Sequence, residues 1–112
     1  MKNKHDIVII LESIIDDYYF LWECYSEYKQ FKQNENNPVI DFSQSFKEAV
    51  ELKYLNFYEG TNFDGDEVLI NLILDDFVIE ELLDWKNDSE REIRIKTSIQ
   101  GISFLDELNK VI

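Results

Sequence analysis

Glu92 to Leu108, EIRIKTSIQGISFLDEL, changes its hydrophobic rhythm part-way, and the reading of that change decides the fold. Up to Thr97, Ile93 and Ile95 alternate with Arg94 and Lys96, the two-residue period of a half-buried strand over Glu92–Thr97. From Ile99 the apolar side chains recur at helical spacing through Ile102, Phe104, Leu105, Leu108 and Val111. Thr97 and Gln100 form a Thr-x-x-Gln capping box that sets the expected helix start. Gly101 lies inside that helix, where glycine costs about 1 kcal/mol relative to alanine, so it predicts close packing against another backbone.

Upstream, Val78–Trp85 is a second β-suited run. The polar, turn-rich segment Lys86–Arg91 joins it to Glu92–Thr97, which predicts a two-stranded hairpin. Before it, Gly60 and Gly65 bracket a loop. A helix is then expected over about Asp66–Asp76, although Val68–Leu74 also suits a buried strand and periodicity does not separate the two. A helix is predicted from Ser43 to about Tyr54, with Ser45 and Glu48 as a capping box and Phe42, Phe46, Ala49 and Val50 at helical spacing.

Asn34–Pro38 is the clearest break in the chain. Ahead of it, Ile7, Leu11, Ile14, Tyr18, Leu21, Tyr25 and Tyr28 recur every three or four residues with no proline or glycine between them. One long helix from Asp6, its expected N-cap, to about Gln33 follows. At 1.5 Å per residue it would run about 42 Å, longer than a small core needs, so self-association through this helix is a further expectation.

Helix, helix, helix, hairpin, helix is the order of a winged helix-turn-helix domain, and three stretches carry the resemblance. Asp75–Leu82 resembles the helix end and first wing strand of that family. Ile95–Leu108 looks like its second wing strand and closing helix. Phe46–Val50 with Leu55–Gly60 echoes its middle helices. The resemblance implies an α+β, mostly α, winged-helix-like fold: a long N-terminal helix, two middle helices, a two-stranded wing and a C-terminal helix. With 112 residues, 45% apolar and one proline, residues 1–112 are expected to form a single domain.

Charge separates this sequence from the family's DNA-reading role. The chain has 24 acidic and 11 basic residues, a formal net charge of −13. Between Lys53 and Lys86 lie nine acidic residues and no basic one: Glu59, Asp64, Asp66, Glu67, Asp75, Asp76, Glu80, Glu81 and Asp84. That span holds the helix expected to enter the major groove, and presenting it to phosphate would set like charge against like. On the wing, Asp84, Asp88, Glu90 and Glu92 cancel Lys86, Arg91, Arg94 and Lys96. Nucleic acid is therefore an unfavourable partner and a basic protein a favourable one.

Catalytic groupings are weak. His5 is the only histidine and has no nucleophile or second ligand near it in sequence. Cys24 is the only cysteine, which excludes an internal disulfide and fits a small buried hydrophobe. Asp16-Asp17, Asp75-Asp76 and Glu80-Glu81 are adjacent pairs, and adjacent helical residues point in different directions. Asn62–Glu67 lacks the full calcium-loop pattern. No phosphate loop, nucleophile elbow or zinc spacing occurs, so no enzyme activity, cofactor or metal is expected. The N-terminus has neither a secretory signal pattern nor an apolar run of membrane-spanning length, which predicts a cytoplasmic protein without a membrane partner.

Seven aromatic rings fall within Tyr18–Phe31. Most are expected in the core, and Tyr19, Trp22 and Tyr58 are candidates for exposure as binding anchors. The leading expectation is an immunity- or antitoxin-type inhibitor, by analogy with small acidic immunity proteins. It would cover the cationic site of a basic toxin or nuclease domain with the Glu59–Asp84 carboxylates, Tyr58 and Trp22. Two alternatives are a winged-helix transcription regulator touching DNA through Arg91, Arg94 and Lys96, and a DNA-mimic inhibitor of a DNA-binding protein.

Overall fold

A computed structural model describes residues 3–32, 38–60, 68–70, 79–80, 83 and 93–110. The fold is α+β and mostly helical. Among the described residues it runs α1 (Lys4–Ser13), α2 (Leu21–Phe31), α3 (Pro38–Glu51), β1 (Leu55–Glu59), β2 (Val68–Ile70), β3 (Ile93–Thr97) and α4 (Ile99–Lys110). The three strands form an antiparallel sheet in the order β2-β1-β3.

The expected long first helix is two helices. The break spans Ile14–Phe20, where Asp, Tyr and Phe, all poorer helix formers than Ala or Leu, are concentrated. Burial opposes a continuous helix too, because Ile7, Ile10, Leu11 and Ile14 on α1 and Leu21, Cys24 and Tyr28 on α2 all point into one core. A straight rod could not wrap both sets around the same centre. Asp6 is not the N-cap. The helix begins at Lys4 with Asn3 as its flanking residue. The Asp6 carboxylate instead ties α1 to α2, accepting from the Tyr28 hydroxyl at 3.1 Å and pairing with Lys32 at 3.0 Å. Glu23 accepts from the Phe20 amide at 2.9 Å and so satisfies a donor at the new N-terminus of α2.

The second predicted helix also shifts. It starts at Pro38, whose fixed φ and missing N–H suit a first helical position. Ser45 is therefore mid-helix and buried, and its hydroxyl has no hydrogen-bond partner. Phe42, Phe46 and Ala49 fill the core, and Phe42 stacks on Phe46 with ring centroids 5.8 Å apart. Complete burial of an aromatic side chain of this kind contributes about 1.5–3 kcal/mol.

Helix α3 ends in a Schellman motif. The Tyr54 amide donates to Ala49 O and the Lys53 amide to Val50 O, each at 3.0 Å, while Lys53 adopts φ 63°. The chain then enters β1, so Leu55–Glu59 is a strand, not part of the helical region. Leu55 and Phe57 point inward, and Phe57 meets Phe46 edge-on at 6.0 Å.

Strand β3 occupies the segment the alternation indicated, but its partner is β1, with Phe57 opposite Ile95 and Tyr58 opposite Arg94. The hairpin with Val78–Trp85 does not form, since Ile79, Glu80 and Leu83 are helical. Val68–Ile70 is a strand on the far side of β1 and not a helix. The remainder of the expected Asp66–Asp76 helix and the Lys86–Arg91 connection lie outside the described residues, as does most of the loop after Gly60.

Thr97 is the last residue of β3, not a cap: its hydroxyl donates to Leu11 O at 2.8 Å. Ser98 caps α4, accepting from the Gly101 amide at 3.1 Å and donating to Lys53 O at 2.6 Å. Gly101 fulfils its packing role, because a Cβ there would run into the Tyr54 carbonyl oxygen and lie 2.7 Å from Thr97 Cγ2.

Candidate protein-binding surface

The connection between α1 and α2 lies along β3. Tyr19 and Ile95 form a one-residue antiparallel bridge, with Tyr19 N to Ile95 O at 3.0 Å and Ile95 N to Tyr19 O at 2.7 Å. Antiparallel register then sets Phe20 beside Arg94 and Tyr18 beside Lys96. Both pairs are in contact: the Arg94 guanidinium lies 4.4 Å from the Phe20 ring centre and the Lys96 ammonium 4.9 Å from that of Tyr18. Tyr18 in turn meets Tyr58 of β1 edge-on at 5.0 Å, and Trp22 stacks with Phe20 at 6.2 Å.

These side chains share the outer face of the sheet. Phe57 and Ile95 point to the core, so Tyr58, Arg94 and Lys96 point away from it, as does Leu69 opposite Tyr58 on β2. The result is a strip of rings on which two cations lie. Beside it, Asp16 and Asp17 are exposed, and Trp22 retains 37% of its accessible surface.

Tyr19 donates its hydroxyl to Asp16 Oδ1 at 2.8 Å. That hydrogen bond, with smaller contributions from partial burial and nearby carboxylates, pushes the phenol pKa up to about 12. The hydroxyl therefore stays a donor.

No protein family, curated protein or solved structure matches this chain.

Of the residues expected to bind a partner, Tyr58, Glu59, Trp22 and Glu80 are described. Tyr58 and Trp22 join the aromatic strip through Tyr18 and Phe20. Glu59 follows Tyr58 at the end of β1. Glu80 stands apart from the strip, lining a groove of about 440 Å³ with Val39, Ile40 and Lys47 of α3 and with Ile79 and Leu83. Helix α3 packs on the core face of the sheet through Phe46 and Phe57, so this groove and Tyr58 belong to opposite sides of it. Asp64, Asp66, Glu67, Asp75, Asp76, Glu81 and Asp84 lie outside the described residues.

Sequence reasoning missed Tyr18 and Phe20 as seats for cations. The signal was the matched alternation of Tyr18 and Phe20 with Lys96 and Arg94, readable only once the long helix is broken.

The remaining candidates are inert or isolated. Burial pushes the Cys24 thiol pKa up to about 12, and its sulfur sits 3.3 Å from the Ser13 hydroxyl, so it is a packed, protonated group. His5 is exposed. Among the described residues no three histidine, cysteine or carboxylate side chains gather as metal ligands. Likewise, no described helix is long and apolar enough to cross a membrane.

Proposed function

We propose that this chain is a non-catalytic acidic binding protein, an immunity- or antitoxin-type inhibitor. It would cover the cationic site of a basic toxin or nuclease domain in the cytoplasm. The observation that carries this reading is the fate of the sheet's described cations. Arg94 and Lys96 lie on the protein's own Phe20 and Tyr18 rings, while Asp16 and Asp17 beside them face solvent. With a net charge of −13, long-range attraction favours a basic partner. Trp22 and the Tyr18–Tyr58 pair supply the rigid aromatic area that slows dissociation.

We read the scaffold as a winged helix with the assignments moved. Three helices precede the strands and α4 follows them, which supports that family's order, although β2 and the helical residues 79, 80 and 83 come between β1 and β3; α3 would then stand where the groove-reading helix is expected. It carries Asp41, Glu48 and Glu51 against Lys47, an acidic excess that would also oppose phosphate. The transcription-regulator alternative loses support because two of its three DNA contacts, Arg94 and Lys96, are engaged by rings.

Affinity capture from the native host, followed by kinetics on the recovered partner, tests the proposal. A basic protein is expected, with an association rate that falls steeply as salt rises. Asp16→Asn with Asp17→Asn should slow association, and Trp22→Ala should weaken binding by at least about ten-fold through faster dissociation. Competition by duplex DNA for the same partner would indicate a DNA mimic. Retention of the host's own DNA at low salt, without a basic protein, would overturn the inhibitor reading.

A further inference from the structure

We propose that Trp22 is the seat of an arginine side chain of the partner, held over the indole as the protein holds its own cations over neighbouring rings. This rests on the reading of a basic partner, and it adds which of that partner's side chains enters and where. Three cations show the device. The Arg94 guanidinium lies 4.4 Å from the Phe20 ring centre, the Lys96 ammonium 4.9 Å from that of Tyr18 and the Lys29 ammonium 4.7 Å from that of Tyr25.

Those three rings are partly buried, whereas Trp22, in the first turn of α2, retains 37% of its accessible surface. Among the described residues no cation lies over it. Indole is also the ring that attracts a cation most strongly. Its plane is within 11° of that of Phe20, with centres 6.2 Å apart, so it is oriented like the ring that already carries Arg94. Arg94 by itself would oppose a second cation nearby. Carboxylates offset that repulsion: Asp16, Asp17 and Glu23 all act on the Tyr19 phenol, which gathers them around the chain leading into α2, and Asp16 and Asp17 face solvent. An arginine suits the place better than a lysine. Its guanidinium is flat and weakly hydrated, stacks on an aromatic face and keeps its N–H groups free for carboxylates.

Titration of the whole chain with an end-blocked peptide of alternating glycine and arginine tests this, against the same peptide with citrulline, the neutral isostere, in place of arginine. The indole N–H signal of Trp22, distinguished from that of Trp85, is followed by NMR. The arginine peptide should move that signal saturably and bind at least about five-fold more tightly than the citrulline peptide. Its affinity should fall in the order wild type, Trp22→Phe, Trp22→Leu, by about five-fold across the series, while the citrulline peptide shows no such order. A lysine version should bind more weakly than the arginine one, and equal or tighter binding would overturn the choice of arginine. Equal affinity of the arginine peptide for the wild type and Trp22→Leu would overturn the seat and leave the basic-partner reading standing, because the carboxylates would then act alone. An unmoved Trp22 signal in the wild type would overturn the seat even if neither variant folds. Arginine and citrulline peptides bound equally by the wild type would overturn both.

Discussion

Gly101 carries its weight through what it lacks. The Tyr54 carbonyl and the Thr97 methyl occupy the space a Cβ would need. Gly101→Ala would gain helix propensity of about 1 kcal/mol. Overpacking against a backbone that is itself hydrogen-bonded to Ser98 should more than offset that gain, leaving a net loss of about 1–3 kcal/mol in urea denaturation. An equal or more stable variant would mean that α4 does not approach Tyr54 so closely. Cys24 makes a pH prediction. Burial raises its pKa from an ordinary value of 9.0 to about 12, so above pH 9 the unfolded chain loses the proton while the native protein keeps it. Stability from this group is complete below pH 9 and declines as pH rises toward 12. Tyr19, raised from 10.0 to about 12, adds to the decline from pH 10 upward. Denaturation midpoints should therefore fall between pH 9 and 11, and a thiol reagent at pH 8 should label Cys24 only after unfolding.

Elements show what the sequence made legible. The strand-to-helix change across Ile93–Lys110 could be read because both periods were clean and the switch fell on hydroxyl residues. Sequence alone did not show which hydroxyl caps, since Thr97 and Ser98 are both good caps and only tertiary contact sends Thr97 to Leu11 O. The long helix was misread because Ile14, Tyr18 and Leu21 keep helical spacing across a break that contains neither proline nor glycine. The deciding force was the need to bury α1 and α2 against one centre, which is non-local. Strand β1 was hidden for a related reason: Lys53 ends α3 where a glycine would have announced the stop. That substitution yields a prediction. A side chain at φ 63° is strained, so Lys53→Gly should raise stability by about 0.5–1 kcal/mol in thermal or urea unfolding, and a loss would show that the lysine chain itself packs there.

For the whole molecule, charge dominates. The radius of gyration is 13.7 Å, and the sequence carries 24 acidic against 11 basic residues. Raising ionic strength from about 0.01 M to about 0.15 M shortens the screening length from about 30 Å to about 8 Å, from more than the molecule's radius to less than it. Self-repulsion should fall accordingly and the melting temperature should rise by a few degrees, whereas a charge-balanced protein would show little change. The site was only half legible at this scale. Its sign could be read from composition, but the strip of rings could not, because it is assembled from α2, β1, β3 and the chain joining α1 to α2.

The junction at Thr97 and Ser98 ties the ends of two earlier helices to a late part of the sequence. The Leu11 carbonyl, which also accepts from the Ile14 amide, and the Lys53 carbonyl each take a hydroxyl from residues that the ribosome adds only after most of the sequence has emerged. Until then the ends of α1 and α3 lack these two hydroxyl contacts. Completion of the fold is tied to the arrival of two adjacent residues near the C-terminus.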